Sequence, residues 1–195
     1  MVGVVAIQGD FEKHIETLRR CDLAPNEILE VRTPEELSLV HKLVIPGGES
    51  TTVGKLMERF GLGEAIRERA AKGMPVWGTC MGMIMMAAHV EGRPDQYLLN
   101  LLDIDVERNA FGAQVHSFED SVTVEGLDEP VTGVFIRAPI VTRLGRGVHA
   151  ISHYDGKIVG VRKGNLLGTS FHPELTEDTA MHRWFLRLNS EKAPA

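Results

Sequence analysis

The chain has 195 residues, 43% hydrophobic and 25% charged, with 20 glycines and a formal charge of −6. This is globular composition that excludes disorder and coiled coil, in a chain long enough to bury about 70% of its unfolded surface without a metal or disulfide staple. The acidic balance argues against nucleic acid or an anionic membrane as partner, and two cysteines, Cys21 and Cys80, make neither a disulfide framework nor a zinc site.

The apolar start, residues 2–7, is too short for a signal sequence and lacks a basic flank. Residues 3–8 read as a buried strand, followed by a helix over 11–20 with Asp10 as N-cap. Residues 43–46 read as a second buried strand, leading through a Gly-rich loop into a helix from about Thr51. Residues 75–77 read as a third, running into a helix over 82–90. The mostly apolar stretch 75–90 contains Gly78, Thr79 and Gly82 and falls short of a membrane span. A soluble, cytoplasmic protein is expected. Strand–helix alternation implies a parallel sheet covered by helices on both faces.

The second half changes grammar. Short β-rich runs at 121–124, 133–136, 149–153, 157–161 and 166–170 are separated by turn residues, with Tyr154, Asp155 and Gly156 marking a hairpin. An antiparallel section attached to the parallel sheet is expected. A last helix carries Met181, Trp184, Phe185 and Leu188 as one core-facing stripe. No repeat or linker divides the sequence, so residues 1–195 read as one domain.

Three segments carry chemistry. Gly78, Thr79, Cys80, Met81 and Gly82 lie between a buried strand and a helix, the nucleophile-elbow pattern with cysteine in place of serine. Small residues two positions either side permit the tight turn, and a helix N-terminus favours thiolate over thiol. Phe171, His172, Pro173 and Glu174 supply a base and an orienting group: in an extended chain His172 and Glu174 point the same way, and Pro173 keeps His172 out of helical dihedrals. Pro46, Gly47, Gly48, Glu49 and Ser50 end a strand with consecutive glycines, whose N–H groups can approach an oxyanion. As a phosphate loop the segment fails, because the glycine spacing is wrong and Leu56 follows Lys55 where Ser or Thr would bind magnesium. Cys21 and the histidines His14, His41, His89, His116, His149, His153 and His182 have no metal-ligand spacing and read as structural or surface residues.

In that order, the Pro-Gly-Gly-Glu-Ser loop, the Gly-x-Cys-x-Gly elbow and the His-Pro-Glu triplet resemble class I glutamine amidotransferases. Residues 8–10, 47–52, 106–112, 133–139 and 170–176 narrow the resemblance to the glutaminase subunits of pyridoxal 5′-phosphate synthase, over almost the whole chain. The resemblance implies a flavodoxin-like three-layer α/β sandwich, mostly parallel, with a Cys80–His172–Glu174 triad. It implies glutamine hydrolysis to glutamate and ammonia through a γ-glutamyl thioester, the ammonia passing to a synthase subunit. Gly48, Glu49, Ser50, Arg108, Ile136 and Arg137 match the family's glutamine-binding positions. Backbone N–H groups of Gly47, Gly48 and Met81 are the expected oxyanion donors. An arginine and a carboxylate suit the α-carboxylate and α-ammonium of glutamine. No metal or organic cofactor is implied, and pyridoxal phosphate is the product of the assembly rather than a ligand. Two positions depart from the family pattern: Met81 follows the nucleophile where a small residue is usual, and Ala113 stands where an arginine is expected. The competing readings are a glutaminase serving another synthase, a free-standing γ-glutamyl hydrolase, and a redox sensor or chaperone with an oxidisable Cys80.

Overall fold

The computed structural model describes residues 1–111 and 117–189. Its large sheet begins with β1 (Val2–Val5), flanked by β2 (Ile28–Val31) and β3 (Lys42–Ile45), and continues through β4 (Val76–Thr79) to β12 (Leu166–Thr169), all parallel. The order β2-β1-β3-β4-β12 is the 2-1-3-4-5 order of flavodoxin-like sheets. Beyond β12 the strands turn antiparallel: β11 (Lys157–Lys163), then β9 (Ile140–Leu144) and β6 (Ile104–Glu107), with β5 (His89–Val90) parallel at the edge and β10 (His149–Tyr154) paired to β11. A separate hairpin pairs β7 (Ser117–Val122) with β8 (Val131–Ile136).

Alternation along the strands sends side chains to two cores. Leu43, Ile45 and Val76 face one; Val44, Trp77 and Leu167 face the other. The first core is covered by α2 (Pro34–Ser38), α3 (Ser50–Arg59), α4 (Leu62–Ala71) and α5 (Met81–Met86), through Leu37, Met57, Ile66 and Met85. The second is covered by α1 (Phe11–Arg20) and α6 (Ala180–Arg187), through Leu18, Met181, Trp184 and Phe185, together with Phe135 of β8. The three layers and the stripe on α6 are therefore as expected.

The local differences have physical causes. The helix expected over 82–90 stops at Met86: Ala87 turns extended (φ −67°, ψ 162°), and β5 pairs with β6 instead. Asp10 occupies the N-cap of α1, but its side chain makes no capping bond. β2, β6 and β9 and helices α2 and α4 are additional to the sequence reading. At the hairpin between β10 and β11, Asp155 and Gly156 take φ 48° and 71°, the paired positive angles of a type I′ turn.

Candidate functional site

The carboxyl ends of β1, β3, β4 and β12 come together at one end of the sheet, where open α/β sheets bind ligands. After β4 the chain turns directly into α5, and Cys80 at the junction has φ 49° and ψ −106°. For a residue with a Cβ this is strained, and the neighbourhood is built around it. A Cβ on Gly82 would run into the Ile45 carbonyl, and one on Gly78 into the Gly82 backbone. Both flanking glycines are thus required by close backbone approach, as the elbow pattern predicted. Thr79 pairs with Thr169, and the Cys80 N–H donates to the Thr169 carbonyl at 2.7 Å. The elbow is thereby locked to the end of β12.

Three residues further on stands His172. Its N–H donates to the Val134 carbonyl at 2.8 Å, which fixes the segment against β8. His172 Nδ1 and Glu174 Oε1 are 2.7 Å apart, with His172 4% and Glu174 2% exposed. The expected extended geometry is not what joins them. His172 leaves helical dihedrals (φ −107°, ψ 86°), but residues Pro173–Leu175 form a 3₁₀ turn that folds Glu174 back onto the ring. Burial disfavours charge on His172, yet the adjoining Cys80 and Glu174 hold its pKa well above the ordinary value. For Glu174, burial is likewise outweighed, by His14 and His172, and its pKa is lowered. The arrangement is a sulfur nucleophile beside a protonatable ring oriented by a buried carboxylate.

A cavity of about 380 Å³ opens over Cys80 and His172. Gly48, Glu49, Ser50, Met81, Arg108, Ile136 and Arg137 all line it, converging from four separate segments. Gly47 does not line it. The Gly47 carbonyl accepts the Asp10 N–H at 3.3 Å, and its missing side chain makes room for His172 Cε1. Among the described residues the N–H groups of Gly48 and Met81 have no acceptor, and Met81 stands in the first turn of α5, where N–H groups point outward. The Met81 side chain, a departure from the family pattern, is 2% exposed and packs into the first core. Ala113 and His116 lie outside the described residues.

Glu49 has a second occupation. Its carboxylate caps α3, accepting the N–H groups of Thr51 (2.9 Å) and Thr52 (2.7 Å). Burial acts to raise its pKa, but these bonds together outweigh it and lower the value to about 2. The Glu49 N–H in turn donates to Gln8 Oε1 at 3.0 Å, tying the loop after β3 to the end of β1. Neither Arg108 nor Arg137 has an ion-pair partner among the described residues. Two guanidinium groups at one cavity rim suit an anionic substrate group. Asn109 also lines the cavity, at φ 54°, and Arg137 takes φ 43°.

The sequence reading missed what lies behind Glu174. His14 of α1 and His182 of α6 are buried side by side there, and nothing in their spacing, 168 residues apart, signals it. The one cluster of three ligand-type side chains among the described residues is Asp10, His172 and Glu174, with ligand atoms within 4.8 Å. The His172–Glu174 hydrogen bond lies inside it, so a metal there would compete with that bond. No helix among the described residues is long and apolar enough to cross a membrane.

The sequence profile of the SNO glutamine amidotransferase family matches residues 4–191. The chain belongs to this family. It is 52% identical over 190 residues to pyridoxal 5′-phosphate synthase subunit PdxT of Roseiflexus sp. (strain RS-1), covering 96% of this chain and 99% of that protein. It is 50% identical over 189 residues to the subunit of the same name from a strain of Thermus thermophilus, covering 96% and 97%. A crystal structure of a glutamine amidotransferase superposes with a TM-score of 0.91 at 48% identity, over 96% of this chain and 97% of that one. PurLQS from Thermotoga maritima, at 17% identity and a TM-score of 0.71, shares the fold over 95% and 96% of the two chains.

Proposed function

We propose that the chain is the glutaminase subunit of a pyridoxal 5′-phosphate synthase, hydrolysing glutamine to glutamate and ammonia with Cys80, His172 and Glu174. The observation that carries this reading is the meeting of a strained cysteine elbow and a carboxylate-held histidine on adjacent parallel strands, in a chain half identical to named synthase subunits. The Cys80 sulfur attacks the side-chain carbonyl carbon of glutamine, and the carbonyl electrons move onto oxygen. N–H groups of Met81 and of the Gly47–Gly48 loop receive that oxyanion. On collapse the C–N bond breaks, and His172 gives its proton to the departing nitrogen, which leaves as ammonia. Water then attacks the γ-glutamyl thioester while His172 takes its proton, and the C–S bond breaks to release glutamate.

Arg108 and Arg137 take the α-carboxylate of glutamine, and the acidic Glu49 lies across the cavity for the α-ammonium. The synthase subunit docks over the face carrying Cys80 and residues 47–50, where ammonia leaves. Ammonia release from glutamine, titrated with purified synthase subunit, tests the reading. Activity that rises with the synthase supports it. Full activity without the synthase, unchanged on addition, would identify a free-standing hydrolase.

A further inference from the structure

Behind Glu174 the core holds a run of buried polar groups that the proposed reaction does not use. His14 is 0% exposed, and its Nε2 lies 3.4 Å from Glu174 Oε1 and 3.1 Å from Thr79 Oγ1. Its Nδ1 lies 2.9 Å from Nε2 of His182, which is also 0% exposed. Trp77 meets both imidazoles at steep interplanar angles, centroids 5.7 Å and 4.9 Å away, and its indole N–H donates to Thr169 Oγ1 at 3.1 Å. The run is therefore walled by aromatic surface and anchored to β4 and β12, the two strands that carry Cys80 and lead to His172.

Glu174 receives both His172 and His14 on one oxygen, Oε1, while its buried Oε2 has no partner among the described residues. The terminal torsion of a glutamate is soft, so a carboxylate held by one bond alone can turn. In this environment each unpaired orientation is expensive. We propose that His14 is a positioning residue: its Nε2 holds the Glu174 carboxylate in the orientation that aims His172 at Cys80, with His182 and Thr79 fixing the His14 ring. This rests on the glutaminase reading above.

The proton count fits. Burial pushes His182 well below its ordinary pKa, so that ring is neutral. With its proton on Nε2 it donates to His14 Nδ1, which leaves the His14 proton on Nε2, facing Glu174 and Thr79. The other tautomer would set a lone pair of His14 against a carboxylate oxygen.

The test is steady-state glutaminase activity of the chain assembled with its synthase subunit. His14→Leu should lower kcat by about 10- to 100-fold, the scale of a small misplacement in a catalytic constellation. KM for glutamine should not change, because His14 does not line the cavity. His14→Gln can place an amide N–H where Nε2 stood, and should restore most of kcat. His14→Asn reaches only the Nδ1 position and should not. In a Glu174→Ala background, where no oxygen remains to be held, His14→Leu should change kcat less than about threefold. If His14→Leu does not fold, the glutamine and asparagine variants, alike in polarity, decide between positioning and mere packing. Equal kcat in those two variants, unchanged kcat in His14→Leu, or an undiminished loss in the Glu174→Ala background would overturn the proposal. An unmutated complex that releases no ammonia would overturn the glutaminase reading instead.

Discussion

Gly47 and His172 are packed so closely that the glycine has no room for a side chain: a Cβ at residue 47 would overlap Cε1 of the imidazole and lie 3.2 Å from its Nδ1. The loop after β3 therefore sets the position of the histidine as well as the wall of the cavity. Gly47→Ala should push the ring off its line to Cys80 and lower kcat by about 10- to 100-fold. Thermal unfolding should shift little by comparison, because the displaced ring faces a cavity. Normal turnover in Gly47→Ala would mean that the ring has freedom the packing denies it.

At the elbow the cost falls on the fold. A Cβ on Gly82 meets the Ile45 carbonyl, a backbone atom of a central strand that cannot yield. Gly82→Ala should destabilise the chain by about 3 kcal/mol or more, read by urea unfolding, with loss of soluble protein as the extreme result.

How much of this was legible depends on how local the physics is. Gly78, Cys80 and Gly82 declare a turn within five residues, so the elbow was readable from sequence. The buried strands around Val4 and Val44 were too, because a short apolar run between turn residues has few alternatives. Residues 83–90, Met-Ile-Met-Met-Ala-Ala-His-Val, contain neither Gly nor Pro, and α5 ends at Met86 where His89–Val90 pair with Ile104–Glu107 instead. Strand β2 is only partly buried at Ile28, Leu29 and Glu30, so its apolar signal is weak at the sheet edge. The triad could be named from motifs, but its support could not. His14 and His182 meet only because α1 and α6 cover the same face of the sheet.

Glu49 links the loop to acid stability. Its folded pKa is lowered from 4.5 to about 2, so its contribution is complete above 4.5 and is lost as pH falls through the range down to about 2. Glu49→Gln should lower the urea midpoint at about pH 5, and the gap from the unmutated chain should close toward about pH 2. A gap that is constant with pH would remove the carboxylate from the cap.

The two arginines that line the cavity give a separable prediction. Arg108→Ala and Arg137→Ala should each raise KM for glutamine about 10- to 100-fold, the loss of one charge-assisted hydrogen bond of about 1.5–3 kcal/mol, while leaving thermal stability within about 0.5 kcal/mol. Unchanged glutamine affinity by calorimetry would return the residue to ordinary surface charge.

Cys80, His172 and Glu174 should fail by different amounts. His172→Asn should cost nearly as much as losing Cys80, since sulfur and ring act as a unit, and Glu174→Gln less, since it acts through orientation and charge. The most direct measurement is glutamate and ammonia release by the Cys80→Ala chain assembled with the synthase subunit, beside the unmutated complex. The unmutated complex should release the two products equally and Cys80→Ala none above background, with the variant still folded. Retention of most turnover without the Cys80 sulfur would contradict its role as nucleophile.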